Sequence, residues 1–394
     1  MNWKAVRDSL RPRAAEARTS TELRAVLTAM IGTLNQSHFS IIPGDNGDAS
    51  ASSHAPVDHS GGIGATIRAV NGTLLITAVR GSGAADQAGL KPGFEIAAID
   101  GCRVTPALAA AAKGLEARHG KLEAWRVGNF MLSGPAGDTV HVTARDSHGD
   151  LKNFAVAREA PRGSLVTFGN LPPLPTHLEF VRKQIAGKTV GVISFNIWMT
   201  VLSESFAVAM DSLRDADAIV LDMRGNFGGI GMMSAGIAGH FVDSALTLGT
   251  MFQRGMTQKF VINPQRVDRR NRRVQPFSGP LALVVDELSV STTEIFAGGL
   301  QSLGRARVFG AQSAGQALPA AAEKLPNGDV LLHAIGNFLL PTGRAVEGVG
   351  VTPDVAAPVT REQLLRGADS ALDAALAWAA TASTSVVKTP NRVP

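Results

Sequence analysis

The sequence predicts an α/β protein with a second, β-rich domain, and three patterns lead to this prediction. From about residue 189 to residue 310, short apolar strands alternate with amphipathic helical stretches, as in parallel strands joined by helices. From residue 61 to residue 161, short strands are instead separated by Gly-rich turns. Ahead of both, apolar residues at helical spacing predict helix over residues 1–43.

Composition fits a folded protein of two or three domains. The chain has 394 residues, of which 45% are hydrophobic and 18% charged, so it can bury a core and is not globally disordered. A net charge of +5 over this length does not suggest a dedicated nucleic-acid binder. The single cysteine, Cys102, excludes a disulfide framework and a multi-cysteine zinc site, and we expect it to be buried beside a turn.

No targeting or membrane segment is evident in the sequence. No stretch reaches the ~20 apolar residues of a membrane span, and the charged N-terminus lacks the apolar region of a signal peptide. We therefore expect a cytoplasmic protein without an integral membrane segment. If the N-terminus is truncated, a periplasmic or secreted location is the alternative.

The first half of the chain divides into helix, linker and β-rich domain. Thr19 and Glu22 have the spacing of a capping box before a helix, and residues 44–56 form a polar, Ser-rich linker. Strands are predicted in the β-rich domain at residues 74–79, 95–100, 138–145 and 153–159, with a less patterned piece at 106–131.

The second half reads as a parallel sheet with connecting helices. Strands are predicted at residues 189–195, 218–223, 281–287 and 306–310, and helices at 203–214, before 242 and at 292–303. Asn327-Gly328 marks a hairpin turn, an amphipathic helix runs through Leu364 and Leu376, and residues 381–394 are expected to be disordered.

Two Gly- and Ser-rich junctions could carry chemistry. DMRGNFGG, from Asp222 to Gly229, ends a buried strand and could aim backbone N–H groups at an oxyanion, or could be a tight turn that Asp222 orders. In ELSVSTTE, Ser291 stands where a strand ends and a helix begins at Thr292. A serine there can be an exposed nucleophile or an ordinary helix N-cap.

Five segments, in order, resemble the serine peptidases of family S41, which are the tail-specific or C-terminal processing peptidases and their tricorn-like relatives. The matching segments are LTAMIGTLNQSHFSIIP, GGIGATIRAV with SGAADQAGLKPGFEIAAIDG, DMRGNFGG, SVSTTEIFAGGLQSLGRARVFG and LLPTGRAVEGVGVTPDV. The resemblance implies a PDZ domain inserted ahead of a crotonase-like (ClpP/crotonase) α/β protease core. The domains would then be 1–56 (N-terminal helical segment and linker), 57–162 (PDZ-like), 163–380 (protease core) and 381–394 (tail).

The resemblance to the processing peptidases places their nucleophile on Ser291. Their catalytic lysine, however, has no counterpart at the corresponding position of this sequence. The position of that lysine, twenty-five residues after the nucleophile, is Gln316 here, and glutamine cannot act as a base. Lys324 lies nearby in sequence but would need a shifted loop.

The tricorn-like branch instead implies a Ser–His–Glu triad, with His38 as the base and Glu347 as the orienting acid. Asp354 is the competing acid, and its Pro-Asp setting looks like turn chemistry. The residues beside His38, Gln36 and Phe39, depart from the family motif.

The resemblance also assigns backbone groups. The oxyanion hole would combine the N–H groups of Gly228 and Thr292, with Gly229 as the alternative first donor. In the PDZ-like domain, the loop of Gly61, Gly62, Ile63 and Gly64 would receive the carboxylate of a peptide, unless it is only a turn that starts a hairpin.

These features imply a serine endopeptidase without metal or cofactor that cleaves unstructured or C-terminal polypeptide segments through an acyl-enzyme. A homo-oligomer or an activating partner is compatible with the sequence. Two other classes stay open: an inactive peptide- or ligand-binding protein of the same fold, and an acyl-CoA enzyme on the crotonase-like core. The basic stretch from Arg266 to Val274 is expected to be a solvated loop that binds no nucleic acid.

Overall fold

The structure, a computed structural model, describes residues 1–44 and 61–382. The first of these segments contains two helices and a strand, α1 (Trp3–Glu16), α2 (Ser20–Gly32) and β1 (Ser40–Ile42). The Thr19 side chain caps α2 by accepting a hydrogen bond from the Glu22 N–H, as the sequence predicts. No helix in these two ranges is long and apolar enough to cross a membrane.

The N-terminal helix prediction is wrong at its C-terminal end. Helix α2 stops at Gly32, and Ser40–Ile42 forms a strand because it pairs with residues 330–332, far along the chain. Three residues that form a strand only because of a distant partner have no recognisable strand pattern of their own. The predicted linker (44–56) and tail (381–394) fall almost wholly outside the described residues.

Residues 61–159, here called the β-rich unit, form one antiparallel sheet with three helices packed against it. Its elements are β2 (Ala65–Val70), β3 (Thr73–Val79), α3 (Ala84–Gln87), β4 (Glu95–Ile99), β5 (Cys102–Arg103), α4 (Val104–Ala112), α5 (Ala117–Leu132), β6 (Thr139–Arg145) and β7 (Leu151–Ala157). The strand order is β2-β3-β4-β6-β7, so β2 is an edge strand. All four predicted strands are confirmed, and the less patterned piece at 106–131 is helical.

Cys102 contradicts its prediction. It begins the two-residue strand β5, which pairs with the end of β4 across a tight turn, and it is exposed there.

The remaining elements build the α/β part. They are β8 (Ser164–Val166), β9 (Leu174–Thr176), β10 (Leu178–Ile185), β11 (Lys188–Phe195), α6 (Leu202–Leu213), β12 (Ala218–Asp222), α7 (Gly231–Ala238), β13 (Leu246–Gln253), β14 (Met256–Ile262), β15 (Leu281–Val285), α8 (Thr292–Ser302), β16 (Arg307–Gly310), β17 (Ala320–Lys324), β18 (Val330–Ala334), β19 (Gly336–Leu339), β20 (Val355–Ala356), α9 (Arg361–Leu365) and α10 (Ser370–Thr381). The predicted strands, helices and hairpin are confirmed, although the last helical stretch is divided into α9 and α10.

A six-stranded sheet of order β10-β11-β12-β15-β16-β20 forms the centre of this part, with all pairs parallel except β10–β11. Its two central strands are apolar over residues 218–221 of β12 and Leu281–Val285 of β15, because both faces of the sheet are covered. On one face, Ile219 and Leu221 of β12 join the core formed with α6, α7 and α8. On the other face, Val220 packs in the cluster that contains α10.

This topology brings the two Gly- and Ser-rich junctions together. Strands β12 and β15 are parallel neighbours, with Asp222 paired to Val284, so their carboxyl ends meet at one edge of the sheet. The turns that follow them are joined by a hydrogen bond of 3.0 Å from the Val290 N–H to the Asn226 carbonyl. Ligand sites of open α/β sheets lie at such an edge.

Two further contacts complete the surroundings of this edge. Strand β1 pairs with β18, Ser40 opposite Leu332, and thereby brings the segment before β1 to the α/β part. From the β-rich unit, α5 packs Leu122 against Leu288 and Val290, which precede the nucleophile candidate.

Candidate active site

Ser291 occupies a strained backbone position at the junction of β15 and α8. It is the N-cap of α8 with φ 58° and ψ −118°, whereas an ordinary N-cap residue lies in the extended region. Its N–H is held by the Gln316 carbonyl (2.9 Å) and by Glu294 Oε2 (3.0 Å). Such strain in a residue other than glycine costs about 1–3 kcal/mol and is concentrated at functional sites, so helix capping alone does not account for it.

The glycine turn lies directly against Ser291. A Cβ built on Gly228 would come within 2.6 Å of the Ser291 Cβ, so only glycine permits this approach. The Gly228 N–H already donates to Asn226 Oδ1 (3.0 Å). By contrast, among the described residues the N–H groups of Gly229 and Thr292 donate no hydrogen bond. The available pair of donors is therefore Gly229 and Thr292 rather than Gly228 and Thr292.

Asp222 and Asn226 order this turn. Asp222 binds the Arg224 guanidinium, with Nε at 2.9 Å and Nη2 at 2.6 Å, as expected for an ordering role. Asn226 is fully buried; its amide donates to the Phe195 carbonyl (2.9 Å), and its Oδ1 lies 2.9 Å from the Thr293 hydroxyl. The turn is consequently fixed to β11 and α8 without using the N–H of Gly229.

His38 and Glu347 come together, with Ser37 between them. The His38 Nδ1 lies 2.8 Å from Ser37 Oγ, and Ser37 Oγ lies 2.9 Å from Glu347 Oε2. An ionised carboxylate only accepts hydrogen bonds, so the Ser37 hydroxyl donates to Glu347 and accepts from the Nδ1–H. The Nε2 of His38 is then unprotonated and can accept a proton.

Sequence reasoning did not single out Ser37. Its only signal was its place next to His38 in NQSHFS, where a serine has no distinctive pattern. Glu347 also accepts from the Ser37 N–H (3.1 Å) and the Ala317 N–H (2.8 Å), which fixes its position. The competing acid, Asp354, lies elsewhere and accepts from the Val308 N–H (2.7 Å).

His38 lines a cavity of about 440 Å³ beside Ser291. Val290 and Gln316, which neighbour Ser291 in sequence and by hydrogen bond, line the same cavity, together with Arg126 of α5. Burial lowers the pKa of His38 below the usual 6.5; Glu347 opposes this shift and Arg126 adds to it. The imidazole is therefore neutral at pH 7, as a base requires.

The segment from Ser313 to Ala317 connects the two halves of the site. Glu294 is buried and binds the N–H groups of Gly315 (2.7 Å) and Gln316 (2.9 Å), while Glu347 binds that of Ala317. Burial raises the pKa of Glu294 to about 7 despite these donors. Among the described residues no hydrogen bond joins Ser291 Oγ to His38. Such contacts are often long until substrate binds.

The other predicted residues lie apart from this cavity. Gly61 donates its N–H to Gly134 (2.8 Å) and Gly62 donates to Glu159 (3.0 Å). The N–H groups of Ile63 and Gly64 donate no hydrogen bond within the described parts of the chain. The basic loop is an exposed turn whose Asp268 binds Arg272 Nε (2.6 Å). In residues 1–44 and 61–382 there is no group of three or more side chains suited to hold a metal.

The model of Peptidase family S41 matches residues 189–357. This segment of the chain is similar to peptidase family S41. The matched segment runs from β11 to β20 and contains Ser291 and Glu347, whereas His38 lies outside it. The candidate site thus combines residues from two separate parts of the chain.

Two curated proteins are similar to this chain at the sequence level. The "Carboxy-terminal processing protease CtpB" of Bacillus subtilis (strain 168) is 24% identical over 341 residues, covering 85% of this chain and 62% of the relative. The "Probable CtpA-like serine protease" of Staphylococcus aureus (strain COL) is 24% identical over 309 residues, covering 77% and 54%. The chain therefore spans little more than half the length of these relatives.

Two solved structures share the mixed α/β fold. A mutant of the protein CPAF superposes with a TM-score of 0.65 at 14% identity, covering 97% of this chain and 92% of the other. The photosystem II D1 C-terminal processing protease gives a TM-score of 0.56 at 16% identity, covering 98% and 97%. At these identities the likeness is one of fold.

Proposed function

We propose that this protein is a serine endopeptidase of family S41, with Ser291 as nucleophile, His38 as base and Glu347 acting on His38 through Ser37. The observation that carries the proposal is the strained Ser291, whose neighbours include two unused backbone N–H groups. A tricorn-like triad explains how an S41 site can work with Gln316 where the processing peptidases have lysine.

The reaction follows from the proton arrangement. His38 Nε2 takes the proton of the Ser291 hydroxyl as Oγ attacks the peptide carbonyl carbon, and the oxyanion is bound by the N–H groups of Gly229 and Thr292. The resulting imidazolium is stabilised through Ser37 by Glu347. His38 then gives its proton to the leaving amine, and a water molecule, activated in the same way, hydrolyses the acyl-enzyme.

The proposed substrates are unstructured or C-terminal polypeptide segments held by the β-rich unit acting as a PDZ domain on a crotonase-like core. Its β2 is an edge strand, to which an extended peptide can add by backbone hydrogen bonds. The unused N–H groups of Ile63 and Gly64 stand at the start of this strand and are the proposed donors to a terminal carboxylate. A relative named for carboxy-terminal processing supports this substrate class.

A direct test is degradation of β-casein, an unfolded protein, by the purified chain. We expect discrete fragments in mass spectra, insensitivity to metal chelation and inhibition by a fluorophosphonate. Folded protein that leaves casein intact and takes no fluorophosphonate would instead favour the inactive binding protein.

Removing the Ser37 hydroxyl tests the link between Glu347 and His38. Ser37→Ala is expected to lower kcat/KM about 100-fold, less than the ~10⁴-fold loss when a catalytic acid itself is changed, because Glu347 stays in place. Ser37→Thr keeps a hydroxyl and should restore much of the activity. Equal activity in wild type and Ser37→Ala, with unchanged thermal unfolding, would contradict the link.

The pH dependence of kcat/KM reports the pKa of His38 in the free enzyme. Activity needs the neutral imidazole, and burial lowers its pKa, so the acidic limb should have its midpoint below 6.5. Arg126→Gln removes a positive charge that disfavours the imidazolium, which raises the pKa and moves the limb to higher pH. A limb unmoved by Arg126→Gln would show that Arg126 does not act on His38.

A further inference from the structure

The cavity beside His38 has a cation on its wall that takes no part in the proposed proton transfers. Arg126 projects from α5 of the β-rich unit and lines this cavity with His38, Val290 and Gln316. Its side chain is 50% exposed. Among the described residues that line the cavity, Arg126 is the one with a positive charge, since His38 is neutral.

Arg126 retains binding capacity. In the described structure Arg126 contacts Glu123, one turn earlier on α5, through Nη1 and Oε1 at 2.5 Å. A guanidinium has five N–H donors in a planar fork, so one such contact leaves most of them unused. The fork matches the two oxygens of a carboxylate, which it binds by parallel, charge-assisted hydrogen bonds.

The position of Arg126 relative to the reaction identifies which part of a substrate it meets. In the proposed mechanism His38 protonates the leaving amine, so the cavity that His38 lines receives residues on the C-terminal side of the scissile bond. Arg126 stands on the wall of that same cavity. A carboxylate carried a few residues beyond the scissile bond is therefore the group it can reach.

We propose that Arg126 forms a carboxylate-binding subsite for the leaving side of the substrate. This inference rests on the proposed peptidase function and adds its substrate class, namely chains with a negative charge just after the cleaved bond. The carboxylate has two possible sources, the C-terminal α-carboxylate of a short tail or the side chain of an aspartate or glutamate. Glu123 competes for the same guanidinium and weakens the subsite.

Matched peptides test the subsite kinetically. Around a bond that the enzyme cleaves in β-casein, peptides ending two residues after that bond are made as free acid and as amide. Longer peptides carry glutamate or glutamine at the same place. Rates are measured at pH 8, above the titration of His38. We expect kcat/KM to favour the carboxylate about tenfold in at least one pair, from one lost charge-assisted hydrogen bond.

Three variants separate this subsite from general electrostatics. Arg126→Gln should bring the ratio of carboxylate to neutral peptide close to one, and Glu123→Gln should increase it. Arg270→Gln, which removes an equal charge from the exposed basic loop, should leave the ratio unchanged. A preference in the pair of free acid and amide identifies the terminal carboxylate as the ligand, and a preference in the pair of glutamate and glutamine identifies the side chain. An active enzyme with a ratio near one in both pairs, or a ratio insensitive to Arg126→Gln, overturns the subsite and leaves the peptidase function intact.

A binding measurement decides the case if casein is not cleaved. Immobilised Ser291→Ala protein is offered a tryptic digest of β-casein and the same digest with its carboxyl groups amidated. We expect the untreated digest to be retained more strongly, by an amount that the double variant Ser291→Ala/Arg126→Gln loses. Equal retention by the two proteins overturns the proposal. Because both proteins keep Ile63 and Gly64, carboxylates bound there contribute equally to both and cancel in the comparison.

Discussion

Ser291→Ala is expected to lower kcat/KM for peptide hydrolysis by about 10⁴-fold or more, the scale of loss when a serine nucleophile is removed. The physical reason is that no other group can form the acyl-enzyme at this place. Thr292 is 2% exposed and its hydroxyl donates to the Gly229 carbonyl at 2.8 Å. Ser289 is fully buried and its hydroxyl is held by the Met223 carbonyl at 2.9 Å.

Intact-mass labelling with a fluorophosphonate separates nucleophile from base. We expect one adduct on the wild type and none on Ser291→Ala or His38→Ala. Ser302→Ala, at the other end of α8, is the control and should label normally. An adduct on His38→Ala but not on Ser291→Ala would retain the nucleophile and refute the base. An adduct that persists on Ser291→Ala would refute the nucleophile itself.

Arg68→Met is expected to reduce the free energy of unfolding by about 3–5 kcal/mol, the usual result of removing one partner of a buried ion pair. Arg68 of β2 meets Asp286 after β15, with Nη2 to Oδ2 at 2.6 Å, and the two side chains are 9% and 8% exposed. Without the guanidinium, Asp286 would remain buried and uncompensated. Urea unfolding followed by circular dichroism measures the loss.

Asp286 also connects this ion pair to the candidate site. Its Oδ1 accepts from the N–H groups of Gly225 (2.9 Å) and Leu288 (3.1 Å), in the two turns that meet at Ser291. The double variant Arg68→Met/Asp286→Asn should recover much of the stability, since asparagine keeps an acceptor without the charge. A control on an exposed pair, Arg182→Met, should cost far less. Equal losses for Arg68→Met and Arg182→Met would show that burial of the pair is energetically unimportant.

Local pattern in the sequence was sufficient for most of the secondary structure. The strand at 218–222 could be predicted because burial on both faces of the sheet requires an apolar run, here residues 218–221. The Asn327-Gly328 turn could be predicted because few residues suit the backbone geometry of such a turn. Strand β1 was missed because its three residues form a strand only by pairing with β18, almost three hundred positions later.

The residues of the candidate site likewise divide into those that the sequence predicted and those that it did not. Ser291 was found because a serine between an apolar strand and a helix is a local feature, and His38 and Glu347 because family motifs surround them. The choice of Gly229 over Gly228 as a free donor could not be predicted, because it depends on the buried Asn226, whose Oδ1 takes the Gly228 N–H.

The sequence by itself determined that this chain is an α/β protein with a β-rich unit and a serine at a strand–helix junction, because those features are encoded in neighbouring residues. The tertiary structure alone decided that Ser37 stands between His38 and Glu347, and that Arg126 lines the cavity beside them. Ser37 and Glu347 are 310 positions apart. Contacts at that separation depend on how β1, α5 and the central sheet pack, and no local spacing of residues records them.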